Sequence, residues 1–387
     1  LKIGIPREIL EDETRVAVVP GMIVTLKKSK YEVFVETGAG LPASFTDREY
    51  QEAGATIVQN GVELYRASEV VLKFQPPRLH PQFRAHEAEL ISEHAALISF
   101  MEPHVYPEAI RKLAARRITC FAMDYVPRIT RAQSMDALSS ISTIIGYKAV
   151  LVAAYHLGKF FPLLMTAAGT IPPANVVILG AGVAGLQAIA TARRLGAKVE
   201  AFDPRPAVKE QVKSLGAQFI EMEIPEDIET VGGYAKEQSE VFLQKERDAI
   251  ASRLPKMDIV ITTAQVFGKR APRLITADMV KLMRPGSVIV DLAADQGGNC
   301  ELSEPHKTIV KHRVTIIGVV NLANTMPVHA SQMYSKNIVN LFLHLYKSPD
   351  GKLDFSDEIT KGACLTHEGE IVNESVKKIL QGGGIGK

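Results

Sequence analysis

Cysteine is scarce. The three in 387 residues, Cys120, Cys300 and Cys364, stand far apart, with no CxxC and no histidine at metal-ligand spacing. So odd and scattered a set argues against a disulfide framework and against structural zinc, and reduced thiols in an intracellular protein are expected. An excess of one charge is missing too: 45 Lys and Arg oppose 43 Asp and Glu, a formal net charge of +2. No basic field calls for nucleic acid and no acidic tail for a basic partner. Nor is there an uninterrupted run of 18 apolar residues, so no membrane span is expected. The opening residues, LKIGIPREIL, lack the basic, apolar and small-residue layout of a signal peptide. They also lack an initiator methionine, which leaves room for a trimmed presequence. Repeats and low-complexity tracts are absent, apart from the terminal GGGIGK, expected to be loose.

What is present is ordinary globular material, 46% hydrophobic and 23% charged, in a chain long enough for two or three domains. KIGI, YEVFVE, EVVLKF, AALISFM and TCFAMDYV read as strands; MIVTLKKS, REYQEAG and PEAIRKLAARR between them carry helical periodicity or helix-end signals. Such alternation means a parallel sheet covered on both faces. A second series follows: VVIL (176–179), VEAF (199–202), FIEM (219–222), DIVITT (258–263), SVIVDL (287–292) and TIIGVV (315–320). Two long helices flank it, SMDALSSISTIIGYKAVLVAAYHL before and ASQMYSKNIVNLFLHLYK (330–347) after. The expected fold is α/β, two Rossmann-like, doubly wound parallel-sheet domains linked by long helices. Residues 1–137 with 328–387 make the discontinuous first domain, and 138–327 the second.

The second series opens on VVILGAGVAGLQAIATARRLGAKVEAFD. Gly180, Gly182 and Gly185 stand in G-x-G-x-x-G spacing after a β-branched strand and at the start of a helix. Asp203 ends the next strand, 18 residues beyond Gly185. That is the context a dinucleotide fingerprint requires. Gly180 permits the tight turn, Gly182 the approach of a pyrophosphate, and Gly185 close helix–sheet packing, while the helix N-terminus offers unpaired N–H groups. Asp203 is expected to accept from the adenosine ribose and repel a 2′-phosphate, favouring NAD over NADP; Arg205, two residues on, is a group that can instead serve such a phosphate. Ala181, Val183 and Pro204 lie within the same turns.

A fold is not a reaction. Hydride transfer from an amino or hydroxy acid needs a proton acceptor and a cation for the carboxylate. Arg15 and Lys73 are available cations, with surface or inter-domain pairing as their plainer use, and His104 and Asp295 are available acid–base groups. Between the two series runs RITRAQSMDALSSISTIIGYKAV (128–150), with Arg128, Gln133, Asp136 and Ser139 at gaps of five, three and three. Helical spacing would gather Gln133, Asp136 and Ser139 on one side. A capped helix start explains them equally well.

RITRAQSMDALSS, with GGYAKEQSEVF (232–242), RPGSVIVDLAADQGGNCE (284–301) and ASQMYSKN (330–337), strongly resembles the NAD-binding domain I of the proton-translocating nicotinamide nucleotide transhydrogenases, over nearly the whole chain. That domain shares its fold with alanine dehydrogenase, which the resemblance connects with Arg15 and Lys73. Where alanine dehydrogenases carry a catalytic histidine, Glu102 stands here, with His104 two positions late; Asp295-Gln296 keeps the alanine dehydrogenase pattern. The resemblance implies that the loop from Arg128 through Ile129, Thr130 and Arg131 to Gln133 lies over the nicotinamide of NAD. Arg128, Asp136 and Ser139 would fix its ribose and carboxamide, and Gln133 would reach toward the second nucleotide. Direct exchange of hydride between two nicotinamide rings needs alignment and exclusion of water, not an acid or base. Gly233 and Tyr234, with Gly232, resemble a mobile loop closing over the nucleotide, and Ala264 and Gln265 complete the implied contacts. TTAQVFGKRAP (at Gln265 to Phe267) and NLANTMP depart from the family's usual wording, in segments near the implied adenosine and partner contacts. The implied reaction is NADH + NADP+ to NAD+ + NADPH, coupled to proton translocation. NADP would sit on a partner component, and a membrane component would complete the enzyme. A homodimer is implied, cytoplasmic and peripheral on the inner face of the cell (or mitochondrial inner) membrane through its partners. An alanine dehydrogenase-like enzyme, complete in itself, is the alternative.

Overall fold

The computed structural model describes residues 1–222, 240–265, 270–347 and 351–381. The chain separates into two compact units, Leu1–Ile141 with Asn324–Lys387, and Ser142–Ala323. In the first, β1 (Lys2–Ile5), β2 (Glu32–Glu36), β3 (Thr56–Val58), β4 (Val70–Leu72), β5 (Ala96–Ser99) and β6 (Thr119–Ala122) run parallel in the order β3-β2-β1-β4-β5-β6. Every residue of β4, β5 and β6 is buried, because helices cover both faces. That is why these strands read as unbroken apolar runs. Helix Pro20–Lys28 begins with proline at its first position and ends on Lys27 and Lys28, and helix Asp47–Glu52 carries a Thr46/Glu49 capping box.

The second unit opens with a hairpin of β7 (Leu164–Thr166) and β8 (Gly169–Ile171), a separate two-stranded sheet. Its main sheet is built of β9 (Asn175–Leu179), β10 (Lys198–Phe202), β11 (Gln218–Phe219), β12 (Ile259–Thr262), β13 (Val288–Asp291), β14 (Thr308–Lys311) and β15 (Val314–Gly318), in the order β11-β10-β9-β12-β13-β15-β14. Only β14 is antiparallel, on the edge. Strand order reverses between β9 and β12, the switch point of a doubly wound sheet. The chain then returns to the first unit, where β16 (Cys364–His367) and β17 (Glu370–Ile371) extend the sheet antiparallel beyond β6.

Two expectations need correction. FIEM is not a four-residue strand: β11 ends at Phe219. Residues 133 to 139 do not share one helix. Thr130–Met135 is a 3-10 turn, and Asp136, at ψ 88°, breaks it before helix Ala137–His156 begins. That helix is also long and apolar enough to cross a membrane, although serine, threonine and glycine interrupt its apolar run. Packing accounts for part of its apolar surface. Ala149, Val150 and Ala153 are fully buried in the second unit's core, and Gly146 lies so close to the Ala184 carbonyl that a Cβ would meet it at 2.1 Å.

Helix Pro327–Leu345 is the spine of the first unit, with ten buried residues. Its Tyr334 ring packs on Phe74 and Phe100, while the Ser331 and Ser335 hydroxyls accept from the Val16 and Val19 amides at 3.0 Å. These bonds fix the segment that carries Glu13 and Arg15.

Candidate functional site

At the switch point, Gly180 follows β9 with φ 100°, a backbone region that favours glycine. Its carbonyl accepts from the Thr263 hydroxyl at 2.9 Å, and a Cβ on Gly185 would stand 1.9 Å from that same carbonyl oxygen. Gly185 can therefore be nothing but glycine. Nothing lies within 4 Å of the Cβ position at Gly182, so the steric demand there is the one a ligand would impose. Helix Val183–Arg194 starts at Gly182 with no side-chain cap and no acidic residue in its first turn. Its first N–H groups and the positive end of its dipole remain available to an anion. Across the loop, Asn299 fixes Ala264 from both sides: Oδ1 accepts from the Ala264 amide at 3.1 Å, and Nδ2 donates to its carbonyl at 2.9 Å. Gln265 donates to the Leu292 carbonyl at 3.2 Å.

Asp203 is buried, and its oxygens are fully committed. Oδ1 accepts from the backbone N–H and Nε of Arg205 at 2.9 and 2.8 Å; Oδ2 accepts from the Ala181 amide at 2.7 Å and Arg205 Nη2 at 2.8 Å. Four bonds fill a carboxylate's lone-pair sites. Ribose hydroxyls reach Asp203 only by exchanging with the Arg205 guanidinium, and Pro204 between them keeps the turn short. The donor-rich helix start, the open space at Gly182 and the carboxylate at the end of β10 fit a dinucleotide.

The loop before helix Ala137–His156 divides its polar residues into two sets. Ala132 and Met135 are buried in the first unit's core, and Asn337 and Asn340 donate to the Ser134 carbonyl at 2.9 and 3.2 Å. So anchored, the loop exposes Arg128, Thr130, Arg131 and Gln133, with Ile129 half-buried; Arg131 pairs with Asp357 at 3.2 Å. Asp136 and Ser139 face each other instead. Asp136 accepts from the Ser139 amide at 2.9 Å and from its hydroxyl at 2.6 Å, which is an N-cap. The structure thus separates two exposed groups, Arg128 and Gln133, from a helix cap.

Arg15 and Lys73 are already neutralised. Arg15 donates from Nε and Nη2 to Glu13 at 2.6 Å each and stacks on the Phe74 ring at 3.9 Å. Gln75 donates to the same carboxylate at 2.6 Å. Lys73, fully buried, sits between Glu87 at 2.7 Å and Glu8 at 3.2 Å. Burial works against its charge, but Glu8 and Glu87 hold its pKa above the usual lysine range. Burial likewise raises Glu8 to about 7, against the pull of Lys73. Structural pairing is therefore what the structure gives both cations. Glu102, half-buried, follows β5 in a left-handed backbone at φ 42°, and its amide donates to Asp124 at 2.9 Å. Asp295 lies on an exposed turn.

Gly232, Gly233, Tyr234 and Phe267 lie outside the described residues. Thr263 and Asn299 do not stand out in the sequence. The Thr-Thr pair closing a strand at the switch point is a usable signal for the first. Asn299 reaches the site from a distant segment, and nothing local marks it.

These features define a dinucleotide-binding protein of the doubly wound class. Residues 4–145 match the family described as alanine dehydrogenase/PNT, N-terminal domain, and residues 149–374 its C-terminal domain. In Rhodospirillum rubrum, the polypeptide that forms the first portion of NAD(P) transhydrogenase subunit alpha is 46% identical over 97% of this chain and 99% of its own. The crystal structure of a transhydrogenase from Sinorhizobium meliloti superposes with a TM-score of 0.83 at 40% identity, over 97% of this chain and 100% of that one. A solved L-alanine dehydrogenase is more distant in sequence, 27% identical with a TM-score of 0.81 over 99% of each chain. The chain belongs to the alanine dehydrogenase/PNT family and, within it, to the transhydrogenase alpha-subunit branch: an oxidoreductase component, in a family that binds NAD(H).

Proposed function

We propose that the chain is the NAD(H)-binding component of a proton-translocating transhydrogenase, presenting NADH for direct hydride transfer to NADP+ held by a separate component. The observation that carries this reading is the match to the Rhodospirillum subunit over nearly the full length of both chains. The bound nucleotide supplies the hydride from its nicotinamide ring. The work of this chain's residues is binding and orientation. The start of helix Val183–Arg194 holds the pyrophosphate, Asp203 receives the ribose after Arg205 swings away, and Arg128 and Gln133, exposed on an anchored loop, fix the nicotinamide end. Asp136 and Ser139 set the loop through the cap they form. The alternative, an alanine dehydrogenase, finds less support, because Arg15 and Lys73 are each consumed by carboxylates of the chain itself.

A homodimer is part of the proposal. Among the described residues the hairpin of β7 and β8 has no third strand, and Phe160, Leu163 and Met165 around it are 56, 53 and 79% exposed. An isolated two-stranded hairpin is marginal in water, so a second copy covering it is the simplest support. Attachment to the membrane would come through the membrane component. The test mixes the chain with a purified NADP(H)-binding component and follows hydride exchange between nucleotide analogues by absorbance. Transfer that needs both proteins is expected. Robust oxidation of NADH by the chain alone with pyruvate and ammonia would overturn the reading in favour of the dehydrogenase.

A further inference from the structure

The long helix Pro327–Leu345 carries a polar stripe beside its apolar face. Asn337, Asn340 and His344 stand at i, i+3 and i+7 and so share one side of the helix. All three are spent on the loop that carries Gln133. Asn337 and Asn340 each donate from Nδ2 to the Ser134 carbonyl, at 2.9 and 3.2 Å. His344 Nε2 lies 2.8 Å from Asp357 Oδ1, which also caps helix Glu358–Ala363 through the Ile359 and Thr360 amides. Asp357 Oδ2 is thereby set to face Arg131 at 3.2 Å. The loop is held at residues 131 and 134, with Gln133 exposed between them. The two holds differ in weight. The Arg131 side chain is 62% exposed, and a surface pair contributes little. Asn337 is 6% exposed, so its bond is shielded from water.

Stability alone does not ask for an asparagine here. Asn337 Oδ1 is buried with no hydrogen-bond partner among the described residues, and an unpaired buried acceptor is a cost to the fold. A leucine of similar volume would remove that cost and leave the Ser134 carbonyl its bond from Asn340. What the asparagine adds is direction. Two donors converging on one carbonyl fix the Ser134–Met135 peptide, one residue beyond Gln133, while the buried Ala132 and Met135 side chains fix the chain on either side. We propose that Asn337 is a positioning residue for hydride transfer, holding with Asn340 the backbone from which Gln133 reaches the second nucleotide. The proposal rests on the reading of Gln133 as the residue that aligns the two nicotinamide rings. Both asparagines act through the loop rather than on the nucleotide. Such support matters where a misplacement near 1 Å is felt in the rate.

The test compares Asn337→Leu, Asn340→Ala and the double variant with the wild type, each with and without Gln133→Ala. Stopped-flow hydride transfer to a purified NADP(H)-binding component, NADH dissociation constants and thermal unfolding are read for all. Asn337→Leu should slow transfer by roughly tenfold to 100-fold, with NADH affinity and Tm little changed. Asn340→Ala, at a half-buried place, should slow it by roughly threefold or more, and the double variant beyond either. In the slow Gln133→Ala background the asparagine changes should have no further effect, because they act through that side chain. Wild-type transfer by the double variant would overturn the proposal while leaving Gln133 in its role. So would an equal loss with and without Gln133, the mark of a merely structural change. Should Asn337→Leu melt early, Asn340→Ala carries the same comparison, and wild-type transfer by it counts against the proposal. If Gln133→Ala transfers hydride as the wild type does, the reading of Gln133 itself falls, and the role of Asn337 with it.

Discussion

At the scale of single residues, the site is one of prior commitments. Asp203 meets its ligand only by releasing Arg205, so the two positions should respond in opposite directions. Asp203→Ala removes a charged acceptor and should weaken NADH by about 1.5–3 kcal/mol; unchanged affinity in equilibrium dialysis would remove Asp203 from the site. Arg205→Ala removes the competitor, so NADH should bind as tightly or tighter and NADPH more weakly. Weaker NADH binding by this variant would mean that the guanidinium stays on the nucleotide. In the loop, Arg128 and Gln133 also part company. A displacement near 1 Å at the reacting centre costs on the order of 100-fold in rate. Gln133→Asn, shorter by one methylene, should therefore slow hydride transfer markedly with little change in NADH affinity. Arg128→Ala should harm both, because a charge contact is lost in every liganded state. Stopped-flow transfer with an NADP(H)-binding partner separates the two, and a wild-type rate for Gln133→Asn reduces the loop to a helix entrance.

Elements show why some of this was legible in the sequence and some was not. Strands buried on both faces, β4, β5 and β9 among them, write themselves as apolar runs, and the Gly180–Gly185 turn is dictated by clashes a few residues apart. Short edge strands carry no such signature. β3 and β14 are three and four residues long with most of their side chains half-buried or exposed. The β7–β8 hairpin, PLLMTAAGTIP, lacks the strict alternation of a half-buried strand. Helical spacing misled at 133–139, because a 3-10 turn and an extended Asp136 intervene. That boundary has a measurable consequence. Asp136→Ala strips the N-cap from a 20-residue helix and should cost about 1 kcal/mol in denaturant unfolding. If NADH affinity falls as well, Asp136 does more than cap. The hairpin yields a second test: Met165→Glu sets a charge on its exposed apolar face and should shift a dimer toward monomer in analytical ultracentrifugation. A wild-type chain that sediments as a monomer would remove the homodimer from the proposal.

For the molecule as a whole, buried acids tie stability to pH, and the sign follows from the direction of their shifts. Glu8 and Glu246, one in each unit, are raised from 4.5 to about 7, Glu8 chiefly by burial and Glu246 by burial and Asp203. Between those values the folded chain holds protons that the unfolded chain has released. Stability from these groups is then fully present below about 4.5 and is lost as pH rises through 7. Asp357 runs the other way. Burial pushes it up, but bonds from His344, the Thr360 amide and Arg131 prevail and hold it below the usual carboxylate range. Its contribution is present above the ordinary aspartate pKa and is lost on acidification. From these groups alone the maximum lies between the ordinary aspartate and glutamate values of 3.8 and 4.5, and stability declines from there through neutrality. A shift of this size in a buried acid is worth on the order of 3 kcal/mol per group across the window, and each kcal/mol moves the midpoint of a unit this large by about 2–4 °C. Thermal unfolding should therefore show a lower Tm near pH 8 than near pH 5.5. Glu246→Gln, neutral at every pH, should lose its share of that difference. A wild-type Tm that climbs from pH 5.5 to 8 would mean that burial does not hold these acids up on folding, and that for Glu8 the pairing with Lys73 outweighs it.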